Sequence, residues 1–480
     1  MSPVQDLLFS LSWAQSEALL AGLALVTAVL GAYLGDRWAQ PLAWLAALGM
    51  VGAGVLALLY RPAEPLEIFS GALTVDAFGA FVKALMAFAA AATLLLGADY
   101  FAKGPDRRFE FAVLTLLSTL GFFVMAGANN LIALYIGLEL QSLAAYVLAA
   151  FRRDDARSSE AGLKYFVLGA LSSGILLYGA SMIYGFAGSI EFSRIVESAH
   201  AGDVGVTFGL VFLICGLAFK LSAAPFHMWT PDVYEGAPTP VTALFASAPK
   251  FAAAALIIRV LYAPFGDMIA DWSQVIQAIA ALSLAVGTFA ALVQTNIKRL
   301  MAYSSIANMG YVLMGIAAGG QAGAASALIY LAFYAPATIG AFAIILAMRR
   351  DGQLVERISD LAGLAARQPW RAVVLTVLFF SLAGIPPLAG FFGKFYVFKA
   401  ALDAQLYALS ILAALATVVG AGYYLWIIKT VWFDAPAPAF ERASATIVAV
   451  ATLATVLTFP VLVVMLGSFE AWANQAAAPF

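Results

Sequence analysis

The sequence predicts an all-α, polytopic membrane protein of about fourteen transmembrane helices. Two inverted five-helix repeats are expected within it, with helices seven and twelve broken. Three observations carry this expectation. The 480 residues are 63% hydrophobic and only 11% charged, with a mean hydropathy of +0.93. No soluble domain of that length could hide so much apolar surface. Apolar stretches of about 20 residues recur along the chain, and two of them are interrupted by proline.

The spans run over 17–35, 41–60, 76–97, 111–128, 130–151, 161–187, 204–230, 239–262, 272–294, 299–319, 324–348, 370–402, 405–432 and 443–468. The first positive charge is Arg37, so no basic leader precedes the first span, which is expected to remain as a helix. The split at Ala128-Asn129-Asn130 is the tightest. With the N-terminus outside, the cytoplasmic loops hold fifteen Lys or Arg and the outer side three, namely Arg61, Arg194 and Arg259. That asymmetry follows the enrichment of basic residues in cytoplasmic loops. It places both termini on the outer side of the membrane.

The seventh span carries Pro225 and the twelfth carries Pro386 and Pro387. Proline lacks a backbone donor and clashes with the preceding turn, so a kink or a break is expected at each. Pro225 and Pro387 are 162 residues apart, and Ser142-Leu-Ala-Ala-Tyr-Val-Leu resembles Ser305-Ile-Ala-Asn-Met-Gly-Tyr-Val-Leu at an offset of 163, with a two-residue gap before the tyrosine. An odd number of helices separates the matched segments, which implies repeats of opposite orientation. The organisation expected is 1–110 for three N-terminal helices, 111–262 and 263–432 for the repeats, and 433–480 for a last helix.

Charge sorts unusually. Seven of the nine lysines (Lys83, Lys164, Lys220, Lys250, Lys394, Lys399 and Lys429) fall inside spans, whereas the sixteen arginines fall between them or within a few residues of their limits. Arginine stays protonated in any protein environment, while a buried lysine can release its proton. The sorting points to proton handling. Glu139 is the one carboxylate near the middle of a span and shares a helix face with Tyr135, Ser142 and Tyr146. Lys220 precedes the seventh-span break and His227 follows it, Lys250 is central in the eighth span, and Lys394 follows the twelfth-span break. A charge at a helix centre costs about 2.5–3.5 kcal/mol on insertion scales. Glu139, Lys220, Lys250 and Lys394 together then cost on the order of 10–14 kcal/mol, hard to assign to packing alone.

Lys399 and Lys429 sit near span ends and can snorkel, and Lys83 can pair with Asp76, seven residues earlier. Lys164 lies between the cytoplasmic face and the deeper lysines. Ser304, Asn308 and Tyr311 form a polar stripe on the tenth span that could organise water. One cysteine, Cys215, and two histidines, His200 and His227, exclude a disulfide framework and leave no ligand set for an iron–sulfur cluster or a metal. Gly52-Ala-Gly54-Val-Leu-Ala57 fits a loose dinucleotide fingerprint, but without a preceding strand it reads as helix packing. A net charge of −2 argues against nucleic acid. No nucleophile–base constellation is present, so no covalent chemistry is expected of this chain.

Leu138-Glu139-Leu140 with Tyr146-Val-Leu, and the run from Phe219-Lys220 through Pro225-Phe-His227-Met-Trp229 to Pro240, resemble the antiporter-like membrane subunits of respiratory complex I. Tyr303-Ser-Ser-Ile-Ala-Asn-Met-Gly310-Tyr and Gly384-Ile-Pro-Pro-Leu-Ala-Gly-Phe-Phe-Gly-Lys394-Phe carry the same resemblance. It covers the chain from about the fourth to the thirteenth helix. Length and Lys394 favour the fourteen-helix branch over one with a long C-terminal extension and one with glutamate at that position.

The resemblance implies a proton-translocating subunit of an NADH:quinone oxidoreductase in a bacterial inner membrane. Its partners would be other membrane and peripheral subunits, including sister antiporter-like subunits. NADH, FMN, iron–sulfur clusters and quinone would reside on those partners and none in this chain. Glu139 and Lys220 would be the charge-coupled pair. Lys250, with His227 and Lys164, would be the central relay, and Lys394 the exit group.

Two other readings stand beside it. A subunit of a multisubunit cation/proton antiporter shares the motifs, but sodium prefers oxygen ligands, and one central carboxylate faces three central lysines. A passive scaffold or quinone anchor would have to tolerate the buried charges without using them.

Overall fold

In a bilayer every backbone amide must find its partner within the protein, which leaves helices as the economical solution for an apolar chain. The computed structural model describes residues 3–102, 106–198 and 203–480. Lys103 and His200 lie outside the described residues.

The spans are α1 Gln15–Leu34, α2 Ala39–Leu59, α3 Ala77–Phe101, α4 Glu110–Gly127, α5 Leu131–Ala149 and α6 Ala156–Ala187. The seventh is split into α7a Val204–Leu221 and α7b Trp229–Gly236, and the eighth into α8a Thr239–Phe245 and α8b Ala248–Tyr262. Then follow α9 Ile269–Ala291, α10 Ile297–Ala318 and α11 Gly320–Leu346. The twelfth is split into α12a Pro369–Ala383 and α12b Ala389–Asp403, before α13 Tyr407–Phe433 and α14 Ala445–Val456. Among the described residues thirteen helical segments are long and apolar enough to cross a membrane. The fourteenth expected span is the one divided at Gly384–Leu388.

Local chemistry sets several boundaries. Asp76 caps α3 by accepting from Gly79 N at 2.7 Å, and Asn130 caps α5 by accepting from Ala133 N at 2.7 Å. The Asn130 cap lets α4 and α5 form a tight hairpin across three residues. Two features were not foreseen. The eighth span is broken at Ala246–Ser247 without a proline at the break itself, and Ser247 has φ −125° and ψ −91°. Two short hairpins close the ends of the bundle, β1 Leu66–Ile68 with β2 Leu73–Val75, and β3 Arg349–Arg350 with β4 Gln353–Leu354. Each strand is only two or three residues long, too short for an alternating pattern to stand out.

α8, α10 and α11 are buried nearly throughout, whereas α1 and α14 present most of their apolar surface outward. The first three helices are tied to the rest by charge. Arg259 on α8b is 5% exposed and grips Asp76 with two nitrogens at 2.9 and 3.0 Å, while its Nε donates to Ala126 O at 2.8 Å. Lys83 pairs with Glu17 at 2.6 Å rather than with Asp76, because Arg259 has taken that carboxylate.

The strict sorting of lysine from arginine therefore does not hold. Arg259 and Arg371 are buried within helices, and Lys298 is 2% exposed. The guanidinium of Arg371 is accommodated because it donates to the carbonyls of Ala347 and Glu441.

Removing one partner of a buried ion pair leaves an uncompensated charge, at a cost of about 3–5 kcal/mol. Arg259→Leu is therefore expected to lower the thermal stability of the detergent-solubilised protein sharply. Asp76→Ala combined with Arg259→Leu should recover part of the loss. Fluorescence-detected size exclusion after heating measures both.

Candidate functional site

A helix interrupted inside the membrane ends in carbonyls with no intrahelical partner and with the negative end of its dipole. At both proline breaks a lysine amine meets those carbonyls. α7a turns off at Ser222, which adopts the left-handed conformation (φ 64°). Lys250 is 1% exposed and donates to Leu221 O at 3.0 Å and to Ser222 Oγ at 2.5 Å. The unforeseen break in the eighth span is what delivers it: Lys250 is the third residue of α8b, and Ser247 Oγ reaches back across the gap to Ala243 O at 2.8 Å.

α12a turns off at Gly384 (φ 88°), and Lys394 donates to Ala383 O at 2.9 Å. A Cβ on Gly384 would lie 2.9 Å from Lys394 Cδ, so glycine is needed there for both the turn and the lysine.

Lys220, in the last turn of α7a, is 6% exposed and donates to Ser142 Oγ at 2.7 Å and Tyr146 OH at 3.2 Å. The repeat seen in the sequence aligns Tyr146 with Tyr311, and each ring carries a lysine: Lys220 Nζ is 5.4 Å from the Tyr146 centroid, and Lys394 Nζ is 4.9 Å from that of Tyr311. The two lysines reach equivalent rings from opposite sides of their breaks. A cavity of about 10 Å³ adjoins Lys220, Gln141, Tyr165 and Trp229, and another of about 10 Å³ adjoins Asn308, Tyr330 and Ser381. Each has room for about one water.

Glu139 does not touch Lys220. Its carboxylate accepts from Ser173 of α6, and no ion pair within 4.0 Å joins it to a base among the described residues. Ser142, one turn along α5, contacts the lysine instead. Glu139 is half-buried, between the outward-facing Ile136 and Leu143, which are 56% and 56% exposed. An ionisable group on that face is tolerable only where a polar surface or another chain covers it.

His227 is half-buried in the α7 break, and its Nδ1 has no protein hydrogen-bond partner. It makes no hydrogen bond to Lys250 in this structure. Lys164 lies apart from Lys250, its side chain 41% exposed and paired with Glu160 at 2.8 Å and Asp232 at 2.7 Å. Asp232 passes the network on to Arg299 at 2.7 Å. Pro225, Pro386 and Pro387 all lie in the breaks, exposed at the side of the bundle.

The polar stripe of α10 is part of a larger chain than the sequence indicated. Tyr424 OH and Ser304 Oγ are 2.5 Å apart, Asn308 Nδ2 donates to Ser304 O at 2.7 Å, and Tyr330 OH donates to Asn308 Oδ1 at 2.6 Å. Tyr311 OH reaches Thr417 Oγ1 at 2.6 Å. Tyr330, Thr417 and Tyr424 were not singled out in the sequence, although Ser326, Tyr330, Tyr334 and Thr338 recur every four residues on α11 and Thr417 and Tyr424 are seven apart on α13. Between the two breaks, the buried hydroxyls of Thr230, Tyr234, Ser305 and Thr338 have no partner in good hydrogen-bonding geometry, although Ser305 lies beside both Tyr234 and Tyr334. Buried hydroxyls without protein partners are the usual positions of ordered water.

The chain is similar to known membrane proteins along most of its length. Residues 128–420 match the family described as NADH:quinone oxidoreductase/Mrp antiporter, TM. The NADH-quinone oxidoreductase subunit N of Beijerinckia indica subsp. indica is 53% identical over 468 residues, covering 97% of this chain and 98% of that one. Among solved structures, a chain of respiratory complex I from Thermus thermophilus superposes with a TM-score of 0.82 at 33% identity, covering 96% and 99% of the two chains. A chain of the Mrp complex from Dietzia sp. DQ12-45-1b superposes at 0.87 with 22% identity over 98% and 97%, a likeness of fold. The chain therefore belongs to the NADH:quinone oxidoreductase/Mrp antiporter family of membrane subunits, on the subunit N branch that its length and Lys394 pointed to.

Proposed function

We propose that the chain conducts protons as the N-type membrane subunit of a bacterial NADH:quinone oxidoreductase, through Lys220, Lys250 and Lys394. The observation that carries the reading is the seating of Lys250 and Lys394 on the carbonyl ends of broken helices. Both amines are buried, both are held by neutral acceptors, and neither has a carboxylate partner among the described residues. A lysine needed only to balance a charge would have a counter-ion.

Redox chemistry, with NADH, FMN, iron–sulfur clusters and quinone, belongs to partner subunits, and this chain responds to it at a distance. Glu139 is the coupling group. Its charge and that of Lys220 act on each other across Ser142, so a change in one alters the cost of keeping the other. Its place on a lateral face makes it accessible to a neighbouring subunit's influence. The hydroxyls of Thr230, Tyr234, Ser305 and Thr338 supply positions for water between Lys250 and the Asn308–Tyr330 pair, which adjoins Lys394 through Tyr311. His227 flanks the first break, and Lys164 anchors the cytoplasmic end of α6 beside α7b. An Mrp-type cation exchange is less well supported, since the likeness to that complex is one of fold and the half-identical relative is a subunit N.

Glu139→Gln keeps the size of the side chain and its hydrogen bond to Ser173 while removing the charge. Protons pumped per NADH oxidised in inverted membrane vesicles should fall, with normal assembly on native gels. Unchanged stoichiometry would remove Glu139 from the coupling. The membrane orientation, with both termini outside, is tested by impermeant maleimide on intact cells carrying Cys215→Ala with Glu64→Cys or Arg367→Cys. Only the Glu64→Cys protein should react before the cells are opened.

A further inference from the structure

A third lysine is built like Lys250 and Lys394, and neither its position nor its surroundings were apparent from the sequence. Lys298, in the first turn of α10, is 2% exposed. Its amine donates to Glu235 O at 2.8 Å and Ala237 O at 2.9 Å, the carbonyls at the C-terminal end of α7b. It differs from the other two in having a carboxylate partner, Glu356 Oε1 at 3.2 Å. Asn296 Nδ2 lies 3.4 Å from Glu235 Oε1 and 3.2 Å from Glu356 Oε2, holding the two acids side by side.

On one side of this cluster is a cavity of about 560 Å³, whose wall sets the acids Asp106, Asp155, Glu235 and Glu356 against the bases Arg152, Arg157, Arg349 and Arg357. It reaches solvent at the end of the bundle that carries the arginine-rich loops. On the other side lie the buried hydroxyls. Tyr234 directly precedes Glu235 in the chain. Ser305 is two turns from Lys298 along one face of α10, and both hydroxyls lack a protein partner in good geometry. Asn308 follows Ser305 by one turn. Lys298 and Glu356 thus stand between an open cavity lined by acids and bases together and the interior polar chain.

We propose that Lys298 and Glu356 form the gate through which protons enter from the cytoplasmic phase; the assignment rests on the proton-conducting reading above. The Lys298 ammonium hands one proton inward, through water, to the Tyr234–Ser305 hydroxyls and is left as a neutral amine. It regains a proton from Glu356, protonated in its turn from cavity water. One proton crosses and each group returns to its starting form. While the ammonium holds Glu235 O, Ala237 O and Glu356 together, the passage is shut.

The bland alternative, a helix cap and nothing more, makes the opposite prediction for Lys298→Arg. A guanidinium can make all of these contacts but cannot release a proton. The experiment compares Lys298→Arg, Glu356→Gln and Lys250→Met in the assembled complex, reading NADH oxidation and proton pumping in the same inverted vesicles. The gate predicts that Lys298→Arg and Glu356→Gln lose the same share of protons per NADH as Lys250→Met. If Lys250→Met loses protons while Lys298→Arg assembles and pumps in full, Lys298 is a structural cap and the gate is wrong. If Lys298→Arg fails to assemble, Glu356→Gln decides alone, full pumping overturning the gate. If Lys250→Met itself pumps in full, the conduction reading falls and the gate falls with it.

Discussion

A broken helix in a low-dielectric medium must find donors for the carbonyls it exposes, and much of this protein's interior is arranged around that requirement. Water would satisfy those carbonyls at a surface, whereas in the membrane the protein must supply the donors or enclose water itself. Here lysine amines supply them at three helix ends: Lys250 on α7a, Lys394 on α12a and Lys298 on α7b. An ammonium suits the negative end of the helix dipole, and it brings a titratable proton to the point where the backbone is irregular. Structural need and proton chemistry therefore meet in the same side chains. This also explains why the breaks and the lysines occur together in the sequence.

The other buried charges do a different job. Glu17–Lys83 is a direct ion pair within the first three helices, and Asp76–Arg259 is one between them and the rest. A bidentate guanidinium–carboxylate pair has fixed geometry, which suits a joint. Lys220, Lys250 and Lys394 have neutral partners and can exchange them for water or for one another's protons. The contrast separates the charges that hold the fold from those that can serve transport. It corrects the simpler idea that lysine is buried and arginine excluded, because Arg259 and Arg371 are buried wherever enough acceptors surround them.

Most of the candidate site was legible before the fold was known. Glu139, Lys220, Lys250 and Lys394 stand out because a charge in an apolar stretch has no counterpart in its local pattern, and the prolines announce two of the breaks. The rest was hidden for physical reasons. Lys298 sits at a span boundary, where a basic residue is ordinary, and only the return of α7b and the 349–357 segment over it removes it from solvent. The break at Ala246–Ser247 has no proline or glycine at the break itself to mark it. Tyr330, Thr417 and Tyr424 carry hydroxyls on tyrosine and threonine, types that also serve as ordinary aromatic or β-branched packing residues, so the spacing of Ser326, Tyr330, Tyr334 and Thr338 did not by itself mark a polar chain.

The sequence by itself determined the solvent, the class of fold, the number of spans and the family, since long apolar runs can satisfy their amides in a bilayer only as helices and the motifs around the breaks are specific. Tertiary structure decided which charges meet. Lys83 has Asp76 two turns away on its own helix, yet binds Glu17 because Arg259 arrives from 183 positions beyond Asp76 and claims that carboxylate. Lys164 shares a stretch of chain with the deep lysines but is held by Asp232 at one end of the bundle. Hydropathy records whether a residue can be buried; its partner depends on crossings between helices remote in the chain, which no local pattern encodes.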